Sequence, residues 1–78
     1  MNITLNGSQH ALADGASITA LVSQITGRLL ATDGHAADGQ KLGVAVAHNS
    51  EVVPRSQWHV TALAEGDDVE LVTAVQGG

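Results

Sequence analysis

Residues 17–27 carry the one sustained helical period in this chain, and that feature limits the fold most. Ser17 stands where a helix N-cap belongs, its hydroxyl suited to accept a free backbone N–H. Ile18, Leu21, Val22 and Ile25 follow at i, i+3, i+4 and i+7, one apolar face. Ala20 occupies the position where a capping box would need Glu or Gln. Gly27 marks the end, with Arg28-Leu29-Leu30 able to extend the helix by a turn. A single apolar stripe must be covered, and the rest of the chain reads as strand and turn. One helix packed across one face of a mixed sheet satisfies this, an α+β arrangement.

The strands are read from alternation. Residues 2–6 alternate polar and apolar, the period of a half-buried strand. Asn6-Gly7-Ser8 is a turn signal, and residues 9–13 return as a second strand with Leu12 inward. Residues 44–47 and 51–53 form a second hairpin around His48-Asn49-Ser50. Pro54 ends that pairing because it cannot donate to a ladder. Residues 55–59 read as one short helical turn, with Trp58 as a lid over one end of the core rather than a ligand-stacking residue. Glu65-Gly66-Asp67 turns into a last strand over residues 68–75. On it Val69 and Leu71 share one face, and Glu70, Val72 and Ala74 the other. Ile3, Leu5, Ile18, Leu21, Val22, Ile25, Val44, Val46, Val69 and Leu71 are expected to share one core.

At 78 residues this is one domain, and with no Phe or Tyr its core must be aliphatic. Residues 1–75 make the domain and residues 76–78 a flexible tail. Residues 32–42, small, polar and Gly-rich, read as a surface loop. There is no cysteine, so disulfides, thiolate metal ligands and a cysteine nucleophile are excluded, and any sulfur handled must come from outside. No apolar run approaches a membrane span and no targeting signal is visible, which points to the cytoplasm. The net charge is −5, and Arg28, Lys41 and Arg55 are scattered, which argues against nucleic acid and for a basic groove on a protein partner.

No nucleophile elbow, phosphate loop or zinc motif occurs. His10, His35, His48 and His59 are spread without partners at useful spacing, and Glu65, Asp67 and Asp68 read as a solvated turn. No metal site and no bound cofactor are expected, and a self-contained enzyme is not. Attention falls on Gln76-Gly77-Gly78. Without Cβ atoms Gly77 and Gly78 can enter a channel closed to side chains, and Gly78 carries a free carboxylate. Gly-Gly alone is more often the mark of a frayed end.

Larger segments carry a resemblance. Glu65-Gly66-Asp67-Asp68-Val69-Glu70-Leu71-Val72-Thr73-Ala74-Val75-Gln76-Gly77-Gly78 resembles the C-terminus of the ThiS family, sulfur carriers of thiamine biosynthesis. Residues 44–58 resemble its strand-turn-strand and Val-Pro-Arg-x-x-Trp segment, and the layout of residues 2–26 matches too. Residues 34–41 are longer than the family pattern, and Ser50 stands where the family usually has Gly.

The resemblance implies a ubiquitin-like β-grasp of four to five strands, with the first and last strands parallel neighbours. It implies that a ThiF-type adenylyltransferase uses ATP and magnesium to adenylate Gly78. A persulfide donor then leaves a thiocarboxylate there, and a ThiG-type thiazole synthase takes the sulfur. Gly77 shares the reactive tail. Val72, Ala74 and Gln76 are the candidate partner-binding residues. Alternatives of the same shape are the small subunit of molybdopterin synthase, another carrier, or a ubiquitin-like protein modifier.

Overall fold

Two hairpins, β1 (Asn2–Leu5) with β2 (Ser8–Ala11) and β3 (Val44–His48) with β4 (Glu51–Val52), and a last strand, β5 (Asp68–Thr73), form a five-stranded mixed sheet in the order β2-β1-β5-β3-β4. The structure, a computed structural model, describes residues 1–27 and 43–73. β1 and β2 are antiparallel, with Leu5 opposite Ser8. Asn6 and Gly7 between them have φ of 49° and 83°. Positive φ at both central positions is the type I′ turn, whose twist matches that of the strands. β3 and β4 repeat the device, with φ of 50° at Asn49 and 72° at Ser50. The second turn therefore adopts the glycine-favoured geometry without a glycine.

β5 lies between the hairpins, parallel to β1 and antiparallel to β3. With α1 (Ile18–Thr26) against the sheet, this is the expected β-grasp. The Ser17 hydroxyl accepts the Ala20 N–H at 3.2 Å, and Gly27, at φ 72°, donates its N–H to the Ser23 carbonyl at 2.8 Å. Both ends of α1 are thus capped as their sequence requires.

The sheet contributes Ile3, Val44, Val46, Val69 and Leu71 to the core, and the helix contributes Ile18, Leu21 and Val22. Trp58 and Leu63 complete it. Trp58 sits in a 3₁₀ helix, Arg55–Val60, is fully buried, and donates its indole N–H to the Val53 carbonyl at 2.9 Å. Arg55 donates to the Val44 carbonyl at 3.0 Å, with its guanidinium carbon 5.8 Å from the Trp58 ring centre. The Val-Pro-Arg-x-x-Trp segment is therefore a staple, tying the second hairpin to the core through one hydrogen bond from each of two side chains.

Five expectations need correction, three in the core and two at strand ends. Ile25 lies on the right helical face but is 41% exposed, because it falls in the last turn of α1, where the stripe outruns the core. Leu5 is half-buried and packs against the core rather than within it, at the end of β1. Leu63 was not expected in the core. It is placed there by the segment after the 3₁₀ helix, where Ala62 bridges Ser17 and the Leu63 N–H donates to the Ala16 carbonyl at 2.8 Å. β2 also ends at Ala11, and β4 at Val52, short of the expected strands. The expected loop over residues 32–42 lies outside the described residues.

Candidate functional site

The outer face of the sheet is set by the period of two that buries the inner one. Val69 and Leu71 point inward, so Asp68, Glu70 and Val72 point outward. Val72 is 61% exposed and lies opposite Ala45 on β3. Ala47, opposite Glu70 on one side and Val52 on the other, carries the apolar surface across to β4. Val52 is 78% exposed. Val72, Ala45, Ala47 and Val52 thus form one apolar patch on the half of the sheet made by β5, β3 and β4.

The other half is polar. Thr4, Asn6, Gly7, Asp68 and Glu70 line an open hollow of about 610 Å³ between β1 and β5. An apolar patch beside a carboxylate-lined hollow suits a protein surface with an apolar ridge and a basic rim. Of the expected partner-binding residues, Val72 is on the patch, whereas Ala74 and Gln76 lie outside the described residues. So do Gly77 and Gly78. Ala45, Ala47 and Val52 were missed as surface residues. Their alternation with Val44, Val46 and Val53 is the signal that finds them.

Two of the histidines, His48 and His10, are better partnered than their spacing suggests. The His48 and Asp67 side chains meet at 2.7 Å across 19 residues of sequence. The same Asp67 oxygen accepts the Ala64 N–H at 2.9 Å, and the Asn49 amide reaches the other at 3.4 Å. Asn49 in turn accepts the Asp68 N–H at 2.9 Å and donates its own backbone N–H to the Asp68 carbonyl at 2.7 Å. The hydrogen bond with His48, then that from Ala64, holds the Asp67 carboxyl below the usual aspartate range. A His–Asp pair also occurs in catalytic dyads. Here it binds the β3–β4 turn to the start of β5, and both carboxylate oxygens are committed to that task. His10 meets the Gln24 side chain at 2.7 Å, joining edge strand β2 to α1. Among the described residues no three histidines and carboxylates converge on a point that could hold a metal ion.

Comparison with known proteins bears on the whole chain. The ThiS family model matches residues 3–78. The sulfur carrier protein ThiS of Escherichia coli K12 is 28% identical over 78 residues, covering all of both chains. A thiazole synthase of Paramagnetospirillum magneticum is 28% identical over the same length, which is all of this chain and 20% of that one. The crystal structure of the thiamine biosynthesis protein ThiS from Geobacter metallireducens superimposes with a TM-score of 0.69 at 29% identity, covering 100% of each chain. The match spans residues 3–78, from β1 through the staple to Gly78, and the chain belongs to the ThiS family.

Proposed function

We propose that this chain is the sulfur carrier of thiamine thiazole synthesis and bears sulfur as a thiocarboxylate on Gly78. The observation that carries the reading is the family match through residue 78, with end-to-end similarity to the E. coli sulfur carrier. The chain is a co-substrate handed between enzymes, not a catalyst.

The chemistry follows from what a C-terminal carboxylate can and cannot do. Ionised at neutral pH, it resists nucleophiles. An adenylyltransferase of the ThiF type, with ATP and magnesium, lets a Gly78 carboxylate oxygen attack the α-phosphorus, and pyrophosphate leaves. The terminal sulfur of a persulfide then attacks the acyl carbon, and AMP leaves. A thiol cleaves the resulting acyl disulfide, taking the donor sulfur away in a new disulfide and leaving the thiocarboxylate. A thiazole synthase of the ThiG type receives that sulfur; similarity to part of one such enzyme supports the pairing. Gly77 and Gly78 keep the tail narrow enough for two active sites. Val72, with Ala74 and Gln76 beyond it, forms the docking edge. The cytoplasm, where ATP and reduced thiols are at hand, is the fitting compartment. Among the described residues no helix is long and apolar enough to cross a membrane.

The test is the intact mass after co-expression with the adenylyltransferase and a sulfur source. Exchange of one oxygen for sulfur adds about 16 Da. Retention of the unmodified mass, or isopeptide ladders on other proteins, would overturn the reading.

A further inference from the structure

The turn residue Asn6 does more than turn. Its carboxamide oxygen accepts the Leu71 N–H at 2.8 Å, and its amide nitrogen donates to the Leu71 carbonyl at 3.1 Å. One side chain thereby satisfies both main-chain groups of a residue 65 positions away. The two contacts also fix the amide's orientation, since an N–H demands the oxygen and a carbonyl demands the nitrogen. The backbone shows what the carboxamide replaces. β1 holds β5 through Thr4 N–H to the Asp67 carbonyl and Asn6 N–H to the Val69 carbonyl. The next residue of β5 that faces β1 is Leu71. There β1 has already turned away at Gly7, and the Asn6 side chain stands in for the missing strand.

We propose that Asn6 is a positioning residue for sulfur loading, fixing β5 at Leu71 and with it the origin from which the tail reaches a partner's active site. The inference rests on the reading of Gly78 as the loaded group. β5 continues past Leu71 to Thr73, paired with β3 at Val72 and Thr73. Gly78 lies five residues beyond Thr73, a reach of at most about 16–18 Å at 3.3–3.6 Å per residue. Asn6 holds the β1-facing side of the strand two residues before that origin. An anchor matters for a reach of that kind, because displacement of a reacting atom by about 1 Å can cost on the order of 10²-fold in rate. Asn6 meets the anchor's two demands together. It tolerates the positive φ of the turn, and it presents a donor and an acceptor side by side.

The variant that separates these demands is Asn6→Gly, which keeps the turn and deletes the carboxamide. Ser17→Ala is the matched control, because it removes the α1 cap and lowers stability without touching β5. Amide hydrogen exchange is followed at Leu71 and at Val46 and Val69. Loading is followed as pyrophosphate release by the adenylyltransferase over a range of carrier concentrations. Asn6→Gly is expected to speed exchange at Leu71 while Val46 and Val69 stay protected. It should lower the loading kcat by about tenfold with KM little changed, as misplacement of a docked tail requires. Ser17→Ala should load with the kcat of the wild-type chain. Wild-type kcat in Asn6→Gly with Leu71 freely exchanging would overturn the positioning role, as would unchanged Leu71 protection. Equal losses of kcat in both variants would reduce Asn6 to general stability. If the wild-type chain itself draws no pyrophosphate release, the reading of Gly78 fails, and the positioning role falls with it.

Discussion

Ser50 holds φ at 72° in the tight turn between β3 and β4, a conformation in which a Cβ crowds its own backbone. Asn49 beside it is better suited, and its side chain is also engaged with Asp68. Ser50→Gly should therefore stabilise the fold by about 0.5–1 kcal/mol, the strain relieved less the added entropy of an unfolded glycine. A thermal melt checks it, and a lower melting temperature would show that the serine is not strained. Asp67 makes a second prediction at this scale. Its folded pKa lies below the unfolded value of about 3.9, chiefly through His48. The unfolded state therefore binds this proton more readily, so the carboxylate's contribution is present above about pH 4 and lost as pH falls through the depressed folded value. Asp67→Asn should be less stable than the wild-type chain at neutral pH, with the gap narrowing below about pH 4. A gap independent of pH would remove the ionised carboxylate from the account. Neither the His48–Asp67 contact nor the Asn6–Leu71 clamp could be read from the sequence. Both join residues far apart in the chain, and residue type alone carries no information about which distant turns will meet.

α1 was legible because its stripe and both caps are local. Leu21 is fully buried at the centre of that stripe. Leu21→Ala should cost about 2–5 kcal/mol, since a small aliphatic core has little with which to refill the space. Denaturant unfolding measures it, and a cost below about 1 kcal/mol would mean that the layers pack loosely. The exposure of Ile25 shows the limit of the same reasoning. Angular position follows from spacing, but where a stripe runs past the core depends on the other layer. Leu63 escaped for the complementary reason, having no period of either kind around it. In β5 the alternation was legible on both faces, and it makes Val72 an outward residue with β3 neighbours Ala45 and Ala47 on the same surface. Val72→Asp should leave the melting temperature nearly unchanged and weaken binding to the adenylyltransferase. Titration calorimetry with a folded variant decides, and wild-type affinity would take the patch out of the interface.

At the scale of the whole molecule, the proposed function assigns folding and reaction to different parts of the chain. Among the described residues, the core, the staple and the capped helix are built from residues 1–27 and 43–73. The expected flexibility of residues 76–78 falls outside the described residues, as does the placement of Gly78. The division can still be tested by what it predicts of variants. Removing Gly78 should change stability by no more than about 0.5 kcal/mol, the usual limit for substitutions that touch no core or cap. It should abolish sulfur loading, because the new terminal carboxylate sits about 3.3–3.6 Å short of the old one. A glycine carboxylate remains, so the chemistry is unaltered and only the place of the reacting carbon has moved. Gly77→Val makes the complementary change, leaving the carboxylate at its full reach and adding a β-branched side chain where the channel must be narrow. It should also fail to load while melting like the wild-type chain. Mixing each variant with the adenylyltransferase, ATP and a sulfide source and reading the intact mass separates the cases. If the shortened chain gained sulfur at the wild-type rate, reach would not matter. The globule would then serve as a handle, and not as the measure of distance between a docked sheet and a buried carboxylate.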